Sequence, residues 1–365
     1  MPDRTVRSLG VVAPGEPAIL DRPEPEPGEG QAWVTTCWSG VSAGTEVALL
    51  RGGDPHHQVG WDRELRAFGT GPRSGYPITG LGYMEVGRVT DSRTPALAEG
   101  QRVAMAYGHR TGHCVDPARE VVVPVPEWLD PLLGVFLAQM GPICVNGLLH
   151  AAAERGGPSA DLGDGVRDRH VLVTGAGVVG LISALLARQH GARSVTVADP
   201  SPERLQVAAA LGLDAVVDDG QGWRVLKERW VHGPGDRGVD VVLQCRGHSA
   251  ALVTALKALR VSGTVIDLGF YQGEAAGVRL GEEFHHNGLT LRCAQIGRVP
   301  RGMAAAWDRP RLVAATADLL RERGDDIRRH LVTDVVDFEQ GPELLRDIAA
   351  RRRPVLTAVL RMPEG

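Results

Sequence analysis

The chain has 365 residues, a length that predicts two domains rather than one. Its 43% hydrophobic and 23% charged residues are ordinary for a globular protein, and its net charge of -4 indicates neither nucleic acid nor an anionic membrane as a partner. The sequence starts without an apolar signal core and has no bilayer-length apolar run, so we expect a cytoplasmic protein. The five cysteines are scattered, which argues against a disulfide framework or a cysteine-rich zinc site.

The first part of the chain, to about residue 145, predicts a β-rich domain, because short Val- and Thr-rich segments alternate with Gly and Pro. Its predicted strands are 32–38, 85–89, 102–106 and 120–125. Residues 50–82 form a long Gly- and Pro-rich segment, which we expect to be functional or mobile and to form part of a substrate-binding wall.

The pattern changes from about residue 147, where strands and helices alternate. This alternation predicts right-handed βαβ units around a parallel sheet, an α/β fold of the doubly wound type. The predicted strands are 169–173, 194–198, 239–243 and 264–268, and the predicted helices are 178–190, 201–212 and 249–260. Beyond residue 287 we predict a strand at 290–293, helices at 311–323 and 342–351, and a final strand at 354–360.

A glycine-rich turn is the strongest motif of the sequence. Gly175, Gly177 and Gly180 follow a predicted strand and open a predicted helix, whose first residues are Val178 and Val179. The first glycine permits a sharp turn, the second lets a pyrophosphate approach the backbone, and the third allows close packing of the helix on the strand. The helix N-terminus then offers N–H groups and a positive dipole end to the phosphates. The segment therefore predicts a dinucleotide-binding site.

An acidic residue ends the next predicted strand. Asp199 would accept hydrogen bonds from the ribose hydroxyls and would repel a 2′-phosphate, which favours NAD as the cofactor. Arg204 lies close by and could instead stabilise additional phosphate charge.

Three short segments accompany the β-rich start and the dinucleotide turn: GVSAGTE (40–46), GYMEVG (82–87) and Gly269-Phe270-Tyr271. In all of these features the chain resembles the medium-chain dehydrogenase/reductase superfamily. The first two segments look most like its bacteriochlorophyllide dehydrogenase-like branch. The resemblance implies a Rossmann NAD-binding domain at 147–288 and a GroES-like catalytic domain formed by 1–146 and 289–365. It also implies an active-site cleft between the domains and a homodimer or larger assembly.

The resemblance also locates the positions at which zinc-dependent members hold their metal. Here they carry Ala43, Tyr83 and, near Cys144, Pro142, none of which supplies the usual nitrogen or sulfur ligand. The four-cysteine structural zinc lobe is matched only by Cys114. We therefore expect a zinc-independent enzyme with no bound metal.

Without a metal, a hydrogen-bonding side chain must act as acid or base, and three residues are candidates. Thr45 matches a proton-relaying hydroxyl residue of the zinc enzymes, Tyr83 stands at a vacated ligand position, and His113 titrates near neutral pH. Each has a structural alternative, respectively a turn hydroxyl, an aromatic filler and a loop histidine. His109 is a weaker candidate than His113.

For the remaining residues near these motifs, we expect roles in structure or in cofactor binding. We expect Glu46 and Glu85 to be structural. The resemblance implies that the nicotinamide contacts Asn146 and the segment Leu268, Gly269 and Phe270.

The sequence as a whole predicts an NAD-dependent, zinc-independent dehydrogenase of a small, secondary alcohol or its ketone. Two other functions stay open: an NAD(P)H-dependent enone or quinone reductase, and a dinucleotide-binding protein without turnover. The substrate itself is not indicated by any motif.

Overall fold

Two units divide the chain. The first joins Met1–Gln139 to Val332–Gly365, and the second is the continuous segment Met140–Leu331. The computed structural model describes residues 3–155 and 161–363. The boundaries predicted at residues 146 and 288 both differ from this division and fall inside the second unit, because the helix before the glycine turn and the strand after residue 288 belong to that unit's layers.

The first unit is rich in β-structure. Before residue 139 its elements are β1 (Arg4–Ala13), β2 (Glu16–Glu24), β3 (Ala32–Val41), α1 (Ala43–Leu50), α2 (Pro55–Gln58), β4 (Trp61–Asp62), β5 (Ala67–Phe68), β6 (Glu85–Ser92), β7 (Arg102–Met105), β8 (Gly112–Val115), β9 (Val123–Pro124) and a 3₁₀ turn at Pro131–Phe136.

The second unit alternates helices with strands. Its elements are α3 (Met140–Ala153), a 3₁₀ turn (Leu162–Gly165), β10 (His170–Thr174), α4 (Val178–Gln189), β11 (Ser194–Asp199), α5 (Pro202–Ala210), β12 (Asp214–Val217), α6 (Gly222–Arg229), β13 (Val231–Gly233), β14 (Asp236–Arg237), β15 (Val239–Gln244), α7 (Ser249–Ala258), β16 (Leu259–Asp267), a π turn (Leu280–Phe284), β17 (Thr290–Cys293) and α8 (Arg309–His330). The chain then returns to the first unit with β18 (Val332–Asp337), a 3₁₀ turn (Phe338–Gln340), α9 (Gly341–Ala349) and β19 (Thr357–Arg361).

Both parts of the first unit contribute to one sheet. Over the described residues its order is β18-β19-β3-β6-β7-β9, with β8 also pairing with β3. Strand β19 is antiparallel to β3, so the end of the chain completes the sheet begun near its start. Apolar side chains from both segments, including Leu9, Leu81, Phe338 and Leu360, are fully buried in one cluster. Burial of this apolar surface holds the two segments together.

The segments 40–46 and 82–87 become neighbours in this sheet. Strand β3 leads into α1 and strand β6 begins at Glu85, which pairs with Ser39. The N–H of Gly40 donates to the carbonyl of Met84 at 2.7 Å. This pairing brings the hydroxyls of Ser42, Thr45 and Tyr83 together.

The Gly- and Pro-rich segment 50–82 has more structure than the sequence suggests. It contains α2 and the two-stranded β4–β5 hairpin. A Cβ on Gly60 would lie 1.6 Å from the carbonyl oxygen of Gly71, so the close backbone crossing at the base of the hairpin requires glycine. The rings of His56, Trp61 and Phe68 pack on one another above that crossing.

A parallel sheet forms the second unit, which confirms the predicted α/β fold class. Its order over the described residues is β12-β11-β10-β15-β16-β17, and every pairing is parallel. This is the strand order of a doubly wound, Rossmann-like sheet. Strand β12 was not predicted, because the short, largely exposed segment DAVV lacks a buried strand's continuous apolar run. The helix predicted at 249–260 ends earlier, at Ala258, and β16 begins at the next residue, Leu259.

Candidate active site

The glycine turn has the backbone geometry that its sequence predicts. Gly175 leaves β10 with a φ of +102°, a conformation that favours glycine. A Cβ on Gly180 would lie 1.8 Å from the carbonyl oxygen of Gly175, so the turn closes only if this residue has no side chain. A Cβ on Gly177 would meet no atom of the described chain within 4 Å. The middle glycine therefore borders open space, as an approaching phosphate requires.

Helix α4 begins at Val178 with Gly177 as its N-cap, and over the described residues no side chain caps it. The first N–H groups of a helix have no partner within the helix and form the positive end of its dipole. The side chains of Val178 and Val179 are half-buried. An open glycine backbone before an uncapped helix start fits the pyrophosphate of a dinucleotide.

Asp199 at the end of β11 ties two loops together. One carboxylate oxygen accepts the N–H of Ala176 at 2.8 Å, and the other accepts the N–H of Ser201 at 2.9 Å. The side chain has lone pairs left for ribose hydroxyls, although the residue is only 3% exposed. Arg204 lies exposed on the first turn of α5. The structure thus adds a positioning role to the ribose-binding role predicted for Asp199.

A hydrogen-bond network organises the segment after β16. The hydroxyl of Tyr271 donates to Asp267 at 2.9 Å and accepts from the side chain of Gln244 at 2.6 Å. Burial raises the pKa of Asp267, and burial together with this carboxyl raises the pKa of Tyr271. The N–H of Gly269 donates to the other oxygen of Asp267, while Phe270 is 43% exposed. The predicted nicotinamide segment is therefore held by backbone contacts at the carboxyl edge of the sheet.

Asn146 is completely buried in α3. Its side-chain nitrogen donates to the carbonyls of Gln295 and Arg298, at 3.3 and 3.1 Å. Its side-chain oxygen has no hydrogen-bond partner within residues 3–155 and 161–363. A buried, unpaired acceptor is costly, so this atom is suited to an amide donor such as a carboxamide. Leu268, also predicted to contact the nicotinamide, lies against Gly147 on the same helix.

Three hydroxyl groups meet in the first unit. The Tyr83 hydroxyl lies 2.5 Å from that of Ser42 and 3.5 Å from that of Thr45. Ser42 is the N-cap position of α1, Thr45 lies in its first turn, and Tyr83 precedes β6. Two of the three predicted catalytic residues are therefore brought together, and Ser42 is a member that the sequence analysis missed.

Next to the hydroxyls lies a buried acid–base cluster, which we call the His109 cluster: His109, Glu46, Glu85 and Ser39. The Nε2 atom of His109 lies 2.9 Å from Glu46 Oε2, and its Nδ1 atom lies 2.6 Å from the hydroxyl of Ser39. That hydroxyl donates to Glu85 at 2.9 Å. Glu46 also accepts the N–H of Ser42 at 2.7 Å, which connects the cluster to the hydroxyl group.

The carboxylates of the His109 cluster favour the charged form of the imidazole ring. Burial by itself would lower the pKa of His109, but the neighbouring Glu46 and Glu85 outweigh burial, so the pKa of His109 is raised. Burial raises the pKa of Glu85 despite that histidine. We infer an imidazolium paired with the Glu46 carboxylate, with both ring N–H groups donating. Gly82, with φ +92°, makes room for the ring, since a Cβ there would lie 2.5 Å from His109.

His113, the third predicted catalytic residue, has other partners. Its two ring nitrogens lie 2.6 Å from Glu24 and 2.8 Å from Glu120. Its pKa is raised because the bonds to these carboxylates outweigh burial. Both of these partners are carboxylates, whereas Thr45 and Tyr83 are grouped with Ser42. His109, the weaker candidate of the two histidines, is the one that lies beside the hydroxyls through Glu46. Glu46 and Glu85 accept the backbone N–H groups of Ser42 and Tyr107, which agrees with the structural role expected for them.

The residues at the expected zinc positions do not fit a catalytic zinc ion. The Ala43 side chain has no donor atom, and the Tyr83 hydroxyl is bonded to Ser42. Among the residues described, no group of three or more His, Cys, Asp and Glu side chains has the arrangement of a metal site. Burial raises the pKa of the Cys144 thiol to about 12, which disfavours the thiolate that a metal would need.

Comparison with known proteins finds dehydrogenases that are similar to this chain. Residues 178–309 match the family model described as zinc-binding dehydrogenase. D-guloside 3-dehydrogenase of Escherichia coli is 30% identical over 190 residues, covering 49% of this chain and 52% of that protein. The chain thus spans about half the length of this relative. An alcohol dehydrogenase of Cupriavidus necator is 26% identical over 286 residues, covering 72% of this chain and 76% of that protein.

Solved structures share the whole fold at low sequence identity. Galactitol-1-phosphate dehydrogenase of Escherichia coli superimposes with a TM-score of 0.73 at 19% identity, over 97% of this chain and 99% of the other. A zinc-binding-type dehydrogenase of Sinorhizobium meliloti, solved with NADP bound, has a TM-score of 0.70 at 20% identity, over 98% and 99% of the two chains. Over residues 3–155 and 161–363, every helix is too short or too polar to cross a membrane.

Proposed function

Because sequence matches and the shared fold support membership of the medium-chain, zinc-binding-type dehydrogenase superfamily, we propose that this chain is an alcohol dehydrogenase that uses NAD and needs no catalytic zinc. The substrate is a small secondary alcohol or its ketone. The observation that carries the proposal is the Tyr83 hydroxyl, which is held by Ser42 and Thr45. The resemblance to the superfamily implies that this position holds a metal ligand in the zinc enzymes.

The residues of the second unit bind and orient the cofactor. The open backbone at Gly177 and the start of α4 would hold the pyrophosphate, and Asp199 would accept hydrogen bonds from the ribose hydroxyls. The unpaired oxygen of Asn146 and the backbone carbonyl of Gly269 would hold the nicotinamide carboxamide. When bound, the nicotinamide ring accepts or releases the hydride.

The residues of the first unit handle the proton. In the direction of ketone reduction, the Tyr83 hydroxyl donates its proton to the carbonyl oxygen, and the resulting phenolate accepts a hydrogen bond from the Ser42 hydroxyl until a water molecule reprotonates it at the partly exposed ring. Alcohol oxidation runs the same steps in reverse. Thr45 restricts the orientation of the phenol, and the His109 cluster fixes the backbone of Ser42 through Glu46. His109 and Glu46 are positioning residues, because they act through Ser42.

Asp199 supports NAD over NADP, since a buried carboxylate at this position repels a 2′-phosphate. The names of the relatives support a secondary hydroxyl, since one relative is called a D-guloside 3-dehydrogenase and another, from Pyrococcus abyssi, an L-threonine 3-dehydrogenase. The resemblance to the superfamily supports a homodimer, which light scattering on the purified protein would test.

The direct test is a substrate panel with purified protein. Glycosides, polyols, 3-hydroxy amino acids and simple secondary alcohols are assayed with NAD and with NADP, before and after dialysis against a chelator. Turnover of an alcohol with NAD that survives removal of metal supports the proposal. Turnover that disappears with the metal and returns with added zinc overturns zinc independence. Reduction of an enone with no activity on any alcohol or ketone overturns the dehydrogenase assignment.

A further inference from the structure

A cavity of about 550 Å³ lies at the amino edge of the parallel sheet, opposite the glycine turn. Its lining includes Arg169, which precedes β10, Asp240 near the start of β15, and Thr290, the first residue of β17. The glycine turn follows the carboxyl ends of the same strands. At roughly 3.3 Å per residue, the five residues of β10 separate the two edges by about 17 Å. The cavity is therefore distinct from the dinucleotide site.

Some charged groups in the cavity wall neutralise one another. Arg260 lies 2.9 Å from Asp240 and also pairs with Asp236. Glu154 pairs with Arg292 beside the wall. These two acidic residues of the lining are therefore already matched by arginines.

Two further arginines in the lining, Arg155 and Arg169, have no such match. Among the described residues, neither the Arg155 nor the Arg169 side chain forms an ion pair with a carboxylate. The guanidinium of Arg169 donates to the carbonyl of Gly165 at 3.1 Å, and it is half-buried. Burial first, and then the nearby charge of Arg155, lower the pKa of Arg169; Asp240 opposes this shift, and Arg260 adds to it. A half-buried cation next to two others is electrostatically unfavourable, and a bound anion would relieve this repulsion.

The rest of the wall supplies hydrogen-bonding groups. The hydroxyl-bearing residues Ser262, Thr264 and Thr290 line the cavity, and Asp240 keeps lone pairs that can accept from a ligand hydroxyl. The volume lies within the range of about 300–1,000 Å³ that is usual for small-molecule sites. Guanidinium groups match phosphate oxygens with paired, charge-assisted hydrogen bonds.

We propose that this cavity binds a small phosphorylated metabolite, with its phosphate on Arg155 and Arg169 and its hydroxyls toward Asp240 and the threonines. A doubly charged phosphate with three acceptor oxygens satisfies two guanidinium groups at once. Such a site, on the edge opposite the cofactor, would let a phosphorylated compound bind together with the dinucleotide. The inference does not depend on the proposed catalytic function.

Calorimetric titration with inorganic phosphate and pyrophosphate, at constant ionic strength in chloride, tests the proposal. Because the glycine turn also attracts phosphate, Val178→Asp is used to repel anions there. We expect the Val178→Asp variant to keep one pyrophosphate site. Adding Arg169→Gln to this variant should weaken its affinity for pyrophosphate at least tenfold. Adding Arg224→Gln instead is the matched control, because Arg224 is an exposed arginine of the same unit.

Three outcomes would overturn the proposal. The first is pyrophosphate binding that is lost in Val178→Asp but kept in the double variant Arg155→Gln/Arg169→Gln, which would place the binding at the glycine turn. Another is the absence of any binding in Val178→Asp, and the third is tighter binding of succinate than of pyrophosphate. If Arg169→Gln does not fold, Arg155→Gln answers the question alone, because Arg155 is exposed beyond the end of α3.

Discussion

His109 and Glu46 face each other in the interior of the β-rich unit, with 2.9 Å between Nε2 and Oε2 and side chains only 0% and 1% exposed. Sixty-three positions separate them in sequence. Removing one partner of such a buried pair leaves an uncompensated charge, whereas the intact pair is fully hydrogen-bonded. The pair also holds the backbone of Ser42, so it connects the stability of this unit to the geometry of the hydroxyl group.

We expect Glu46→Gln to lower the free energy of unfolding by about 3–5 kcal/mol, because the imidazolium loses its buried counter-charge. Urea denaturation followed by circular dichroism measures the change. Arg361→Gln is the control, since it removes an exposed ion pair with Asp337 and should cost at most about 1 kcal/mol. Equal effects of the two substitutions would show that His109 is neutral in the folded protein.

Tyr83→Phe removes the hydroxyl that we propose as proton donor and acceptor. We expect kcat to fall by about 10²–10⁴-fold, the usual range for general acid–base catalysis, with the Kd for NADH unchanged. Tyr76→Phe is the matched control, because that hydroxyl donates to the carbonyl of Leu49 in the same unit. Wild-type turnover in Tyr83→Phe would show that Tyr83 only fills space in the structure and does not transfer a proton.

His113 gives a pH dependence that separates a structural role from a catalytic one. Its raised pKa means that its contribution to stability is complete below its unfolded pKa of about 6.5 and is lost as the pH rises through the folded value. The pKa values of Glu24 and Glu120 are lowered, although burial opposes this, because both carboxylates bond to His113. Their contribution is lost as the pH falls through those values.

Between the lowered pKa values of the two glutamates and the raised pKa of the histidine, all three groups are charged. We therefore expect the free energy of unfolding of His113→Gln to fall furthest below the wild-type value near about pH 5–6.5, and to differ least from it at alkaline pH. Thermal unfolding from pH 4 to 9 measures the difference. The kcat of the folded variant should stay near the wild-type value. A large loss of kcat with unchanged stability would restore His113 as the catalytic base.

Two glycines of the same turn should respond differently to alanine. Gly180→Ala forces a Cβ against the carbonyl of Gly175, so we expect a loss of several kcal/mol of stability, as in other overpacked sites. Gly177→Ala meets open space and should keep the fold to within about 1 kcal/mol while weakening NADH binding, because the methyl group occupies the approach of the pyrophosphate. Fluorescence titration with NADH and urea denaturation measure both. Unchanged NADH affinity in Gly177→Ala would contradict the phosphate assignment.

The preference for NAD can be tested at Asp199. We expect Asp199→Ala/Pro200→Arg to shift the ratio of kcat/KM values toward NADP, because a carboxylate is exchanged for a cation at the ribose. Pro200→Arg alone is the control, since position 200 is exposed. The double variant should also be less stable, because Ala176 and Ser201 lose the carboxylate that accepts their N–H groups. An unchanged preference would remove the ribose assignment.

The sequence by itself determined the α/β class and the glycine turn, because both depend on local spacing. Strand, glycines, helix and acid lie within 30 residues, and the contact that requires Gly180, with the carbonyl of Gly175, lies inside the turn itself. The same local logic predicted strand 290–293 correctly. It could not predict that this strand joins the parallel sheet, because sheet membership depends on a partner strand elsewhere.

The acid–base chemistry was decided only by the tertiary structure. The segment YGHRTGHC does not reveal the partners of its two histidines; the fold places His109 between Glu46 and Glu85 and His113 between Glu24 and Glu120. Their partners come from strands and turns far away in sequence. Whether a histidine is charged, paired or available depends on the burial and carboxylates around it, and only the folded chain brings those together.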